Sequence, residues 1–172
     1  RAAPNSLFNM KLAEHEAKTY AARLPVYHKT YDYYRYDHAF DINAGIPNLK
    51  EWNKAMAHVL RDLGPAKQVN VNTLFVKGVG REYRDIIERA WLGGKKNDVT
   101  IVFGLAPNSI DIEWVEAFTF GKSSGNEMLA VVLRDELQQV KSVENVGSAA
   151  NVIERNVAKY YVRQPMEKYA YL

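Results

Sequence analysis

Apolar residues recur at helical spacing between residues 48 and 63, where Leu49, Trp52, Met56, Val59, Leu60 and Leu63 gather on one face. Asn48 with Glu51 three residues on forms a capping box that opens this helix, and Gly64-Pro65 is predicted to close it. The period then shortens. Val69 to Val76 reads as a strand, and the Gly78-Val79-Gly80 turn leads into a helix from Arg81 to Leu92, with Tyr83, Ile86, Ile87, Ala90 and Trp91 inward. Gly93-Gly94 ends that helix. Asp98 opens the run Val99 to Phe103, whose lack of alternation fits a central strand covered on both faces. A strand, helix and strand of this size make a right-handed unit with parallel strands. A third strand alternates from Ile110 to Phe120, with Ile110, Ile112, Trp114, Phe118 and Phe120 on one side. Its four-residue connection is too short for a crossover, so it runs antiparallel.

The flanks add helices. Asn5 or Ser6 caps a thin-striped helix that Pro25 stops. Ser124 with Glu127 repeats the capping-box pattern ahead of Leu129, Val132, Leu133, Leu137 and Val140, and Ser148 is placed to cap a last helix carrying Val152, Ile153, Asn156, Val157 and Tyr160. These patterns predict an α/β fold: a three-layer α/β/α sandwich with a small mixed sheet, a parallel pair plus an antiparallel edge strand. Its limits fall at 40–162, with residues 1–39 packing on the core and 163–172 forming a tail that leads elsewhere.

At 172 residues one domain is expected, and a near-balanced 23 basic against 20 acidic residues gives no reason to expect nucleic acid. The absence of cysteine excludes disulfides, thiol nucleophiles and thiolate metal sites. No apolar run approaches the length of a membrane helix. The chain opens on Arg1-Ala2-Ala3-Pro4 without a methionine, from which we expect a segment excised from something longer.

Candidate chemistry is sparse. The Gly78-Val79-Gly80 turn sits where dinucleotide folds hold a pyrophosphate, but Tyr83 stands in place of the third glycine and no acid ends the second strand for a ribose. His15, His28, His38 and His58 lie far apart, and no Gly-x-Ser-x-Gly elbow occurs. Asp41, Asp98, Asp111 and Glu113 suit a hard divalent cation if the strand mouths converge; otherwise Asp98 caps a turn while Asp111 and Glu113 face solvent. Between residues 27 and 40, Tyr31, Tyr33, Tyr34 and Arg35 belong to an aromatic and basic mixture suited to a partner or lipid surface, or to rings that simply cover the core.

The stretch from about Phe40 to Val162 resembles the TPM domain family, small α/β/α domains found on extracytoplasmic, membrane-tethered proteins and in a photosystem repair factor. Phe40-Asp41-Ile42-Asn43-Ala44-Gly45-Ile46 looks like the family's opening turn ahead of a helix. Ala90-Trp91-Leu92-Gly93-Gly94-Lys95-Lys96-Asn97-Asp98 looks like its Trp/Gly/Lys-rich turn, closed by an Asn/Asp pair that opens an apolar strand. The family's Asp-Arg pair is replaced by Asn108-Ser109, and its Gly-x-Gly-Leu-Glu turn by Gly121 to Gly125. Some members bind calcium, and phosphatase activity has been ascribed to some. The resemblance therefore implies a calcium or magnesium site at Asp41, Asn97 and Asp98. The expected function is a non-enzymatic interaction module with a protein partner, on an extracytoplasmic, membrane-associated protein. A metal-dependent phosphohydrolase is the competing expectation, and docking by the aromatic and basic segment is the third.

Overall fold

A computed structural model describes residues 37–90, 98–119 and 124–163. The elements, in order, are β1 (Ala39–Asp41), α1 (Leu49–Lys67), β2 (Asn70–Lys77), α2 (Tyr83–Ala90), β3 (Asp98–Leu105), β4 (Ile112–Thr119), α3 (Ser124–Gln138) and α4 (Val146–Tyr160). The sheet order is β1-β2-β3-β4, with β1, β2 and β3 parallel and β4 antiparallel. The chain folds as the predicted α/β sandwich with a mixed sheet. The short parallel edge strand β1 adds to the predicted sheet, because a strand of three residues carries no readable period.

Strand alternation distributes the core to both faces. Val71 and Phe75 of β2, Val99, Ile101 and Phe103 of β3, and Val115 and Ala117 of β4 join the inner faces of α1, α3 and α4 in the larger core. Leu74, Val76, Val102 and Trp114 point the other way, onto Tyr83, Ile86 and Ile87 of α2. Trp52 of α1 anchors the first core, its ring edge-on to Phe75 at 5.0 Å and tilted against Phe103 at 5.3 Å.

Four local expectations are corrected. Asn48 makes no side-chain cap; its amide donates instead to the Val143 carbonyl at 3.0 Å, which Trp52 Nε1 also reaches at 2.9 Å. The helix runs through Gly64-Pro65 to Lys67, and Gln68, left-handed at φ 52°, closes it by donating its amide to the Gly64 carbonyl. Proline is tolerated there because the last turn loses only one bond to its missing amide. Ser148 lies inside α4, which begins at Val146, and Asn145 occupies the cap position without capping the helix, its Nδ2 donating instead to the Val140 carbonyl at 3.0 Å. Lastly, Ile110 and Ile112 do not share a face with Trp114. Gly104 pairs with Trp114 and Leu105 with Ile112, so Glu113 is an extra residue. This β-bulge reverses the alternation and sends the two isoleucines to the larger core.

Candidate functional site

In open α/β sheets, ligands settle beyond the carboxyl ends of the parallel strands. Here that end is closed by the chain's own groups. Asp41 ends β1, and its carboxylate accepts from the backbone amides of Ala44 (2.7 Å), Gly45 (3.1 Å) and Ile46 (2.7 Å). The turn needs Gly45, whose φ of 66° is strained for other residues. Asn43 continues the ladder beyond β1, donating to the Lys77 carbonyl at 3.0 Å and accepting from the Lys77 amide at 2.9 Å.

The glycine turn is likewise filled from within. Trp114 Nε1 donates to the Val79 carbonyl at 3.0 Å. The Glu82 carboxylate lies against Gly80, where an added Cβ would meet it at 2.5 Å. A carboxylate beside the start of α2 disfavours a second anion there, and the first amides of the helix, Tyr83, Arg84 and Asp85, already donate to the Gly80, Arg81 and Glu82 carbonyls. Arg81 crosses to β4 and α3, donating to the Val115 carbonyl and Glu116 Oε1, each at 3.0 Å, and to Gln138 Oε1 at 2.9 Å.

Asp98 sits at the opposite, amino end of the sheet. It pairs with Asn70 across β2, whereas Asp41 pairs with Phe75, which in turn pairs with Phe103. Five residues of strand rise separate the two carboxylates, about 16 Å along the sheet before the two strand spacings are added. Ligands to one hard cation each lie within roughly 2.6 Å of it, so Asp41 and Asp98 cannot share an ion. Asn97 lies outside the described residues. Among the described residues, no group of three His, Asp or Glu is placed to hold a metal.

Asp98 belongs instead to a buried polar cluster with Asn70, Asn72 and Thr100. Asn72 Nδ2 donates to Asp98 Oδ2 at 3.4 Å, and Asn70 Nδ2 to Asn72 Oδ1 at 3.5 Å. Burial pushes the Asp98 carboxyl well above its ordinary value. Taking a cation there requires that carboxyl to give up its proton. Asp111 and Glu113 face solvent. Tyr31, Tyr33, Tyr34 and Arg35 lie outside the described residues.

Nothing in the hydrophobic pattern marks the outer surface of α1 as a site. A concavity of about 530 Å³ is lined by Glu51, Lys54, Ala55, Ala57, His58 and Arg61 of α1 and by Val146 at the start of α4. Helical spacing alone ranges these charges along one side, but a periodicity cannot reveal a hollow whose far wall comes from a helix some ninety residues on. Beside it, the Glu154 carboxyl of α4 is raised above its ordinary value by partial burial and then by the neighbouring Asp62 of α1. The small floor and charged rim suit a protein surface better than a small apolar ligand.

Together these features define an α/β sandwich with a self-filled sheet end and an open helical groove. Comparison with protein-family models finds no match, and comparison with curated proteins finds none either. Among solved structures, the solution NMR structure of the N-terminal domain of the cg2496 protein from Corynebacterium glutamicum aligns with 84% of this chain and 93% of its own, at 14% identity and a TM-score of 0.49. That likeness transfers neither an activity nor a site.

Proposed function

We propose that this domain is a non-enzymatic interaction module, the soluble part of a membrane-associated and extracytoplasmic assembly, which docks a protein partner in the groove along α1. The observation that carries the reading is the groove itself. Ala55, Ala57 and Val146 give it a shallow apolar floor, and Glu51, Lys54, His58 and Arg61 give it a charged rim. Small floor residues let a partner's backbone approach, while rim charges set its orientation and arrival rate more than its affinity. The resemblance to TPM domains supports the membrane association.

The test is site-specific photo-crosslinking in the full-length product in its own cells. A photoreactive residue at Ala57, inside the groove, is compared with one at Val131, on the exposed face of α3. A discrete partner adduct is expected from position 57 alone, and Lys54→Glu with Arg61→Glu should remove it. Equal labelling from both positions, or metal-dependent cleavage of a generic phosphate ester by the purified domain, would overturn the reading.

A further inference from the structure

We propose that Arg81 is a clasp closing the outer edge of β4, and that the edge it guards, Val115 to Thr119, is a pairing site for β4 of a second copy of this chain. That edge lies across the sheet from α1, which packs on β1 and β2, so this inference does not rest on the docking role of the groove.

β4 ends the sheet and has β3 on one side only. An open strand edge is a template for another chain unless something covers it. At the start of β4 the cover is backbone: Ile112 donates to the Lys141 carbonyl at 2.7 Å, and Val143 donates to the Ile110 carbonyl at 3.1 Å. Ile110 and Ile112 therefore turn their backbone groups outward. The extra residue at Glu113 shifts that parity by one, so Val115, Ala117 and Thr119 turn outward in the rest of the strand. Farther along, the cover is a side chain. Arg81 Nη1 donates to the Val115 carbonyl and to Glu116 Oε1, each at 3.0 Å, and Nη2 donates to Gln138 Oε1 at 2.9 Å. Arg81 precedes α2 on one face of the sheet, whereas Gln138 ends α3 on the other. A side chain that touches Gln138 and the Val115 carbonyl passes round the edge strand. The Arg81 side chain is 43% exposed, and ion pairs so open to water are held weakly enough for a competing strand to displace. The opposite edge is closed differently. Asn53 of α1 accepts from the Ala39 amide at 2.9 Å and donates to the Ala39 carbonyl at 3.3 Å, standing in for a neighbouring strand.

Register and charge select the second copy as occupant. In an antiparallel ladder, outward-turned residues pair with outward-turned residues. A two-fold axis at Ala117 meets that rule, setting Ala117 opposite its own counterpart and Val115 opposite Thr119 of the second copy. An axis at Val115 would instead drive each strand into the 141–143 segment that covers Ile110 and Ile112. With the axis at Ala117, Glu116 falls beside Phe118 of the second copy, in the close pair whose side chains meet. Arg84 lies over the Phe118 ring, 5.7 Å from its centre. Glu116, released by Arg81, thus comes to Arg84 of the second copy, and symmetry makes that contact twice. Arg84 keeps Asp85 and Glu88 on its own helix, and no carboxylate stands directly opposite Glu116.

The whole chain is run by sedimentation velocity over rising concentration as wild type, Arg81→Ala and Gln138→Ala, with far-UV circular dichroism to establish that each folds. Wild type should hold monomer mass. Arg81→Ala should shift to dimer mass as concentration rises, and Gln138→Ala should follow at higher concentration. Two additions to Arg81→Ala separate edge pairing from general stickiness. Ala117→Pro removes the amide on the axis without cutting a bond to β3, and should return the monomer. Glu116→Arg should return it too, and Arg84→Glu added to Glu116→Arg should restore the dimer. A folded Arg81→Ala that stays monomeric overturns the proposal, as do dimers that persist through both Ala117→Pro and Glu116→Arg. A wild-type chain that is already dimeric overturns the clasp. If Arg81→Ala does not fold, Gln138→Ala decides in its place: a dimer supports the clasp, and a monomer at every concentration overturns it.

Discussion

Gly104 lies in the middle of the sheet, opposite Trp114, and its lack of a side chain is a matter of space. A Cβ built there falls inside the Trp114 indole, whereas ordinary carbon contacts are roughly 3.5–4.0 Å. Gly104→Ala must therefore expel the ring. Overpacking of this kind costs about 1–3 kcal/mol. The displaced indole also gives up its bond to the Val79 carbonyl, worth about 0.5–1.5 kcal/mol. Against this, alanine restricts the unfolded chain and returns about 0.5–1 kcal/mol. The net loss is about 2–3 kcal/mol, or a fall in Tm of roughly 5–10 °C for a chain of this length. Thermal melting followed by far-UV circular dichroism measures it. Trp114→Val should destabilise by itself, but combined with Gly104→Ala it should cost about 1–2 kcal/mol less than the two changes summed, because the ring that clashes is gone. A Tm within about 1 °C of wild type for Gly104→Ala, or strict additivity in the double variant, refutes the close approach of backbone and indole.

Three further outcomes are expected. Asp41→Ala removes an acceptor from three backbone amides and should cost about 2–3 kcal/mol in urea unfolding, with millimolar calcium leaving the wild-type Tm unchanged; a calcium-dependent rise lost in the variant would restore a metal role to Asp41. For Asp98 the folded carboxyl is raised by burial, so its contribution to stability is present in acid and is lost as pH rises from its ordinary value of 3.8 through the folded one. Asp98→Asn should therefore gain on wild type in urea midpoints measured from pH 4 to pH 8, and a difference that does not vary with pH contradicts the assignment. Trp52→Phe keeps the ring in the core but drops the bond to the Val143 carbonyl, and should cost about 1–2 kcal/mol by thermal melting.

The layered fold was legible because its two periods are clean. Leu49 to Leu63 keeps the helical stripe, and Val69 to Phe103 keeps the strand–helix–strand rhythm, so a sheet covered on both faces followed from the unbroken apolar run at Val99 to Phe103. Errors arose where a side chain chose a distant partner over a local one. Asn48 sits at the N-cap, yet its amide turns to Val143, ninety-five residues on. Glu113 broke the alternation of β4 because a bulge costs one residue and leaves no mark in composition. No local rule reports either choice.

The candidate site was less legible for a related reason. Motifs rank residues by what they do in sheets where the carboxyl end is open, and they drew attention to Asp41 and to the Gly78 turn. In this chain the same end is filled from within: Asp41 holds three amides of its own turn, Trp114 caps Val79, and the Glu82 carboxylate lies against Gly80. Groups already engaged in that way stabilise the fold and have little capacity left for a ligand. The chemistry that remains open to solvent lies on the outer side of α1, where charge belongs on any surface helix and so carries no signal in a sequence. Only the packing of α4 against α1, which sets Val146 beside Ala55, turns an ordinary polar face into a groove.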